Sequence, residues 1–251
     1  MKKSGFTLAE VLITLGIIGV VAAMTLPAMI QNYKKREVES RLKYTYALLT
    51  EVFKRAEADY GEPKYWEAFS TGEKDSSRFN EERKAFVKKY MLPYLSGAEF
   101  IENKKTSDVG YKEGWKNPNG TILVAPNNVL SFLRIKNGII MQIVTGIVKN
   151  SQNKNIISSI AFYFDVNGTE KPNIVGKDIF VINLIPSSGQ IIMKGEIARF
   201  NLETGLPGTG TGAKPQDRQE FIDNCKRLPD YCGALIKHDG WEFKKDYPYP
   251  W

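Results

Sequence analysis

Glu10 is the sole charged residue between Phe6 and Ile30, and a lone carboxylate placed in hydrocarbon is costly unless a positive group pairs with it. A second group of oxygen ligands, Asp165, Asn167 and Asp178, lies far downstream on a segment bent by Gly168, Pro172 and Gly176. A hard cation such as calcium takes several oxygens from a bent loop, while the same residue types close loops as Asx turns with no metal. The spacing is not that of an EF-hand, so both readings stand. Cys225 and Cys232 flank Lys-Arg-Leu-Pro-Asp-Tyr. That spacing suits one local disulfide if the domain lies outside the cytoplasm, and two reduced thiols if it does not. Near the C-terminus, Trp241, Phe243, Tyr247, Tyr249 and Trp251 interleave with Lys244 and Lys245, a pattern that stacks on bases or sugars or folds back onto its own domain.

For catalysis the residues are few. His238 is the only histidine and sits beside Asp239-Gly240 as a turn residue. No nucleophile motif, glycine-rich phosphate loop or zinc spacing is present, so an enzyme is not expected. The net charge of +7 includes Lys2 and Lys3; it permits a DNA partner without requiring one. With 251 residues, 42% hydrophobic and 25% charged, the chain fits one globular domain plus an accessory segment.

The accessory segment must position Glu10. Residues 6–30 are long enough to cross the roughly 30 Å hydrocarbon layer as a helix, and Lys2 and Lys3 before them hold the short end on the cytoplasmic side and send the head out. An ordinary secretory signal, cleaved near Ala22 and Ala23, is the competing reading. Glu10 within the apolar run and a helical pattern that continues past Ile30 both count against it.

Lys2-Lys3-Ser4-Gly5-Phe6-Thr7-Leu8-Ala9-Glu10, followed by the apolar run, resembles the class A prepilin leader of type IV pilins and type II secretion pseudopilins. The resemblance covers about the first thirty residues. It implies that a membrane aspartic prepilin peptidase cuts after Gly5 and methylates Phe6, the new N-terminus. It further implies that Glu10 neutralises the N-terminal amine of a neighbouring subunit, a pairing favoured at low dielectric, and that Pro27 is the family's helix-bending proline. The implied partners are other pilin or pseudopilin subunits and an inner-membrane assembly platform. The implied location is a single-pass inner membrane precursor, then an extracellular pilus or a periplasmic pseudopilus. The Asp165–Asp178 loop is similar to the calcium loop of major pseudopilins, and the cysteine pair to the C-terminal disulfide loop of many pilins, although shorter. The implied function is that of a structural filament subunit, or alternatively a minor tip pilin that binds DNA, a surface or secreted cargo.

The rest of the chain supports the matching fold, α+β and pilin-like, with a long N-terminal helix packed on an antiparallel sheet. The expected segments are a leader at 1–5, a membrane and filament-core half-helix at 6–30, a head-packing half-helix at 31–60 and a head at 61–251. Val38, Leu42, Thr45, Leu49, Val52, Phe53 and Ala56 recur at helical steps and define one packing face. Gly61 and Pro63 stop the pattern near Tyr60, giving a helix of roughly 80 Å at about 1.5 Å per residue. Pro27 predicts a kink or local melting over Ala23–Pro27, and Gly16 and Gly19 suit either close helix approach or ordinary membrane-helix composition. A second helix is expected over Ser76–Leu92, and Asn103–Gly120 reads as a surface loop. Strands are expected at Thr121–Ala125, Leu130–Lys136, Ile139–Thr145, Ile156–Asp165, Phe180–Ile185 and Gln190–Lys194, in a four- to six-stranded antiparallel sheet. Asn137-Gly138 predicts a type I′ hairpin, and Leu206–Gly212 a flexible link.

Overall fold

The computed structural model describes residues 7–67, 76–149, 155–197 and 217–249. Gly5, Phe6, the Leu206–Gly212 link and Trp251 lie outside the described residues. Helix α1 spans Leu8–Tyr60, and the chain divides into an N-terminal unit ending at Glu37 and a head unit beginning at Val38.

In the N-terminal unit, α1 is apolar on every side, and large side chains from Leu8 to Ile30 stand exposed. It is long and apolar enough to cross a membrane, and a helix without a polar face needs an apolar environment on all sides. The helix continues through Pro27 without the local melting that the proline predicts. Proline removes only the one bond to the carbonyl four residues back, and the Thr25 hydroxyl donates to the Val21 carbonyl at 2.9 Å in the same turn.

In the head unit, the buried residues of α1 are Val38, Leu42, Thr45, Leu49, Val52, Phe53 and Ala56, the periodic set read from the sequence. Gly61 ends the helix with φ 78° and an N–H that donates to Glu57 O at 2.8 Å, the left-handed cap that glycine adopts without a Cβ penalty. Beyond a short turn at Pro63–Tyr65, Trp66 stacks on Tyr90 of α2 (Ser76–Tyr90) with centroids 4.4 Å apart.

Among the described residues eight strands follow: β1 Glu99–Lys105, β2 Trp115–Lys116, β3 Ile122–Val124, β4 Val129–Arg134, β5 Ile140–Lys149, β6 Asn155–Asp165, β7 Ile179–Ile185 and β8 Gln190–Met193. Six form an antiparallel sheet in the order β1-β4-β5-β6-β7-β8, and β2-β3 form a second, smaller sheet. On one face of the large sheet Phe162 opposes Ile182, Phe164 opposes Phe180, and Phe53 of α1 packs on Phe162 at 5.2 Å. The opposite face, carrying Ile140 and Ile179, is covered by Tyr111, Trp115 and Val124. Strand β7 is accordingly buried along its whole length.

Asn103–Gly120 is not a surface loop: it holds the end of β1, helix α3 (Thr106–Val109) and β2, and its Tyr111 and Trp115 are fully buried. Their burial is set by an irregular backbone, which leaves no period to read. The β4–β5 hairpin is not a type I′ turn. Gly138 N–H donates to Ile135 O at 2.9 Å and Gly138 alone takes positive φ, 84°, while Asn137 does not. Type I′ requires positive φ at both central residues, so this is the longer turn with glycine in the left-handed position after it.

The C-terminal segment forms α4 (Arg218–Arg227), a turn at Pro229–Tyr231 and α5 (Cys232–His238). Asp217 caps α4 by accepting Glu220 N–H at 2.9 Å, which satisfies one of the free donors of the first turn. Cys225 and Cys232 are joined in a disulfide. His238 ends α5 and stacks on Phe221 at 4.6 Å instead of sitting in a turn. The aromatic tail folds back: Phe243 and Tyr247 are buried, Trp241 packs on Tyr46 at 5.2 Å, and Tyr247 donates to Gly176 O. The Phe243 N–H donates to Glu39 Oε1 at 2.7 Å, tying the tail to α1 within the head.

Candidate functional site

Glu10 lies in the first turn of α1. Its Oε2 accepts both the Thr7 N–H and the Thr7 hydroxyl at 2.8 Å, and its own N–H donates to Thr7 Oγ1 at 3.3 Å. This is a reciprocal capping box, Thr at the cap and Glu three residues later, which satisfies two of the donors that a helix start leaves free. The carboxylate therefore has a local use in the single subunit. Pro27 stands seventeen residues further along the same helix, so the two assembly candidates share one element but not one site. Gly16 and Gly19 have nothing within 4 Å of where a Cβ would stand.

Asp165, at the end of β6, and Asp178, just before β7, are both fully buried, and the loop between them brings Asn167 alongside. Asp178 accepts the N–H groups of Asn173 at 2.7 Å and Ile174 at 2.6 Å. Asp165 Oδ1 accepts Asn167 N–H at 3.2 Å, and the Asn173 amide, assigned with its nitrogen towards the carboxylate because only that orientation pairs a donor with an acceptor, donates to Asp165 Oδ2 at 2.9 Å. Burial pushes the Asp165 carboxyl well above the usual carboxylate range, and the neighbouring Asp178 adds to that push. Burial likewise raises Asp178 to about 6 against the opposing backbone N–H bonds. Asn167 Oδ1 is buried without a hydrogen-bond partner among the described residues. The oxygens are thus of the type a hard cation takes, while most of the carboxylate positions already accept N–H donors. Among the described residues no three His, Cys, Asp or Glu side chains gather to hold a metal.

Sequence reasoning did not find a cleft of about 600 Å³ lined by Asn117, Asn119, Tyr163, Lys226, Arg227 and Tyr249, among others. It lies between the β2–β3 turn, the disulfide-closed loop and the tail. Lys226-Arg227 beside a cysteine was the visible signal, but Tyr163 and the asparagines reach the same place only through the fold. At the other end of α4, Arg218 clamps the C-terminal segment. Its Nε donates to Asp239 Oδ1 at 2.6 Å and its Nη1 to Asp246 Oδ2 at 2.6 Å, the forked geometry that suits guanidinium to carboxylates.

Comparison with known proteins gives two matches. The prokaryotic N-terminal methylation motif matches residues 1–26, and a family described as a family of unknown function (DUF6613) matches residues 28–250. No curated protein and no solved structure matches. The motif is the prepilin motif of type IV pilin-like and pseudopilin subunits, which are structural proteins, and it is consistent with membrane anchoring through the apolar helix. The chain belongs to the family of unknown function DUF6613 and carries, ahead of that family's region, the N-terminal methylation motif of type IV pilin-like subunits.

Proposed function

We propose that this chain is made as a precursor, cut between Gly5 and Phe6 by a prepilin peptidase, methylated at Phe6, and polymerised through its N-terminal helix into a pilus or pseudopilus. Before assembly the helix spans the inner membrane with the head outside the cytoplasm, and an assembly platform moves it into the filament. The observation that carries this reading is the unburied apolar surface of α1 from Leu8 to Ile30 with one carboxylate, Glu10, at its start. Such a surface suits lipid first and neighbouring helices afterwards, and cleavage at Gly5 creates the amine that Glu10 would neutralise in a neighbour. Transfer of Glu10 from its Thr7 cap to that amine exchanges a local hydrogen bond for a charge pair at low dielectric. Pro27 supplies the place where the helix gives when subunits pack. The test is Glu10→Ala: processing continues and filaments do not form, and normal filaments from this variant would refute the pairing.

A calcium ion held by Asp165, Asn167 and Asp178 is a separable second proposal, favoured by the buried, unpartnered Asn167 Oδ1 beside two buried carboxyls. An ion there would supply positive charge to a loop that concentrates negative groups. Chelation of the purified chain then lowers its melting temperature; an unchanged value removes the ion from the loop.

A further inference from the structure

We propose that the cleft beside the disulfide loop binds an acidic oligosaccharide, with Lys226 and Arg227 holding the anionic group and the Tyr163 and Tyr249 rings lying against the apolar faces of the sugars. The proposal concerns the head alone and stands whether or not the chain forms filaments. A volume of about 600 Å³ falls in the range of small-ligand sites, which combine apolar walls with a few convergent polar groups.

The charge of the cleft is unbalanced. Among the described residues that line it, the one acid, Asp230, is neutralised by Lys194, whose Nζ lies 2.5 Å from Asp230 Oδ2, and the Tyr163 hydroxyl bonds to both groups at 3.3 and 3.4 Å. Lys226 reaches Asp223 only at 4.0 Å, with both side chains more than half exposed, and Arg227 donates to the neutral Asn224 Oδ1 at 3.2 Å. A rim with two cations and a neutralised floor selects an anion, and arginine suits a carboxylate or sulfate in particular.

The walls are neutral and amphipathic. Leu123 and Leu228 remain 42% and 38% exposed and give the cleft an apolar wall. Thr121 holds Asn117 Nδ2 at 3.0 Å and Asn119 Oδ1 at 2.7 and 3.0 Å, which leaves the Asn117 amide oxygen as an acceptor and the Asn119 amide nitrogen as a donor for sugar hydroxyls, and phenol rings present flat apolar faces to pyranose rings. The rim is also held in place, because the disulfide closes the loop carrying both cations and the Tyr249 hydroxyl lies 3.2 Å from the carbonyls of Cys225 and Lys226. Such preorganisation lowers the ordering cost of binding. A nucleic acid would call for a row of cations tracking successive phosphates, and two cations on one rim do not supply it.

The experiment uses the full chain in detergent micelles, titrated calorimetrically with trigalacturonate, with the neutral maltotriose and with a single-stranded oligonucleotide. Trigalacturonate is expected to bind saturably, and maltotriose about tenfold more weakly or not at all. The double variant Lys226→Gln/Arg227→Gln is expected to lose about tenfold in trigalacturonate affinity with an unchanged melting temperature. Absence of saturable trigalacturonate binding, equal affinity in the double variant, or an oligonucleotide that binds as tightly would each overturn the proposal. Filament formation by the double variant is measured in parallel and is expected to stay normal, which keeps this outcome separate from that of the filament reading.

Discussion

Truncating Phe53 to alanine tests whether the second half of α1 is part of the head's core. Phe53 is 2% exposed, and its ring centroid lies 5.2 Å from that of Phe162, 6.2 Å from Trp66 and 6.4 Å from Phe86. A buried phenylalanine removes about 150–200 Å² from water, which at about 25 cal/mol per Å² corresponds to about 4 to 5 kcal/mol. Core truncations of Phe to Ala, which also leave a cavity, cost about 3–5 kcal/mol, so the two routes agree. Against a whole-domain stability of about 5–15 kcal/mol, that loss removes about a fifth of the margin or more. Urea unfolding of the full chain in detergent, followed through the fluorescence of the neighbouring Trp66, measures it. The exposed neighbour Lys54 serves as control, with Lys54→Ala expected within about 0.5 kcal/mol of the parent. A loss under about 1 kcal/mol for Phe53→Ala would contradict the packing of α1 on the sheet.

Three other changes have defined outcomes. Replacing Cys225 and Cys232 together by serine opens a loop with a sequence separation of 7 and should cost about 2 to 3 kcal/mol by chain entropy, read as a lower urea midpoint; an unchanged midpoint would mean that the loop is held by its other contacts. Gly114→Ala and Gly138→Ala both place a side chain at positive φ, but at Gly114 the new Cβ would meet the Val124 carbonyl at 2.0 Å while at Gly138 nothing lies within 4 Å. Thermal melting should therefore fall modestly for Gly138→Ala, by the conformational term of about 1 kcal/mol, and much further for Gly114→Ala; equal effects would count against the close approach of β2 and β3. Hydrogen bonds from Lys116 and Lys171 hold the Glu113 carboxyl down at about 2 from an ordinary 4.5. Its contribution is present above pH 4.5 and fades as pH falls towards 2, so Glu113→Gln should flatten the acid side of the stability profile across that window and leave its shape above it unchanged.

The sequence was most legible where periodicity is long. The seven head-facing residues of α1 repeat at helical steps, and the runs that became β4 to β8 are apolar and bounded by turn residues, so the helix and an antiparallel sheet followed from pattern, while the strand order did not. Tyr111 and Trp115 were missed because a buried aromatic in irregular backbone carries no period. The hairpin turn was misread because Asn-Gly suits two turn classes that differ only in where positive φ falls. Glu39 accepting the Phe243 N–H joins residues 204 positions apart, and Arg218 reaches Asp239 and Asp246 across 21 and 28 positions; no local signal announces such contacts. The candidate site divides in the same way. Thr7 and Glu10 are three residues apart and could be read directly, whereas the cleft draws on the β2–β3 turn, β6, the disulfide loop and the tail, which only the fold brings together.

The most direct measurement is the intact mass of the chain purified from cells that contain an active prepilin peptidase. A chain beginning at Phe6 and carrying one methyl group on its amine is the expected result. A chain that keeps Met1–Gly5, or one cut near Ala22 and Ala23, would contradict the assignment as a processed pilin-like subunit.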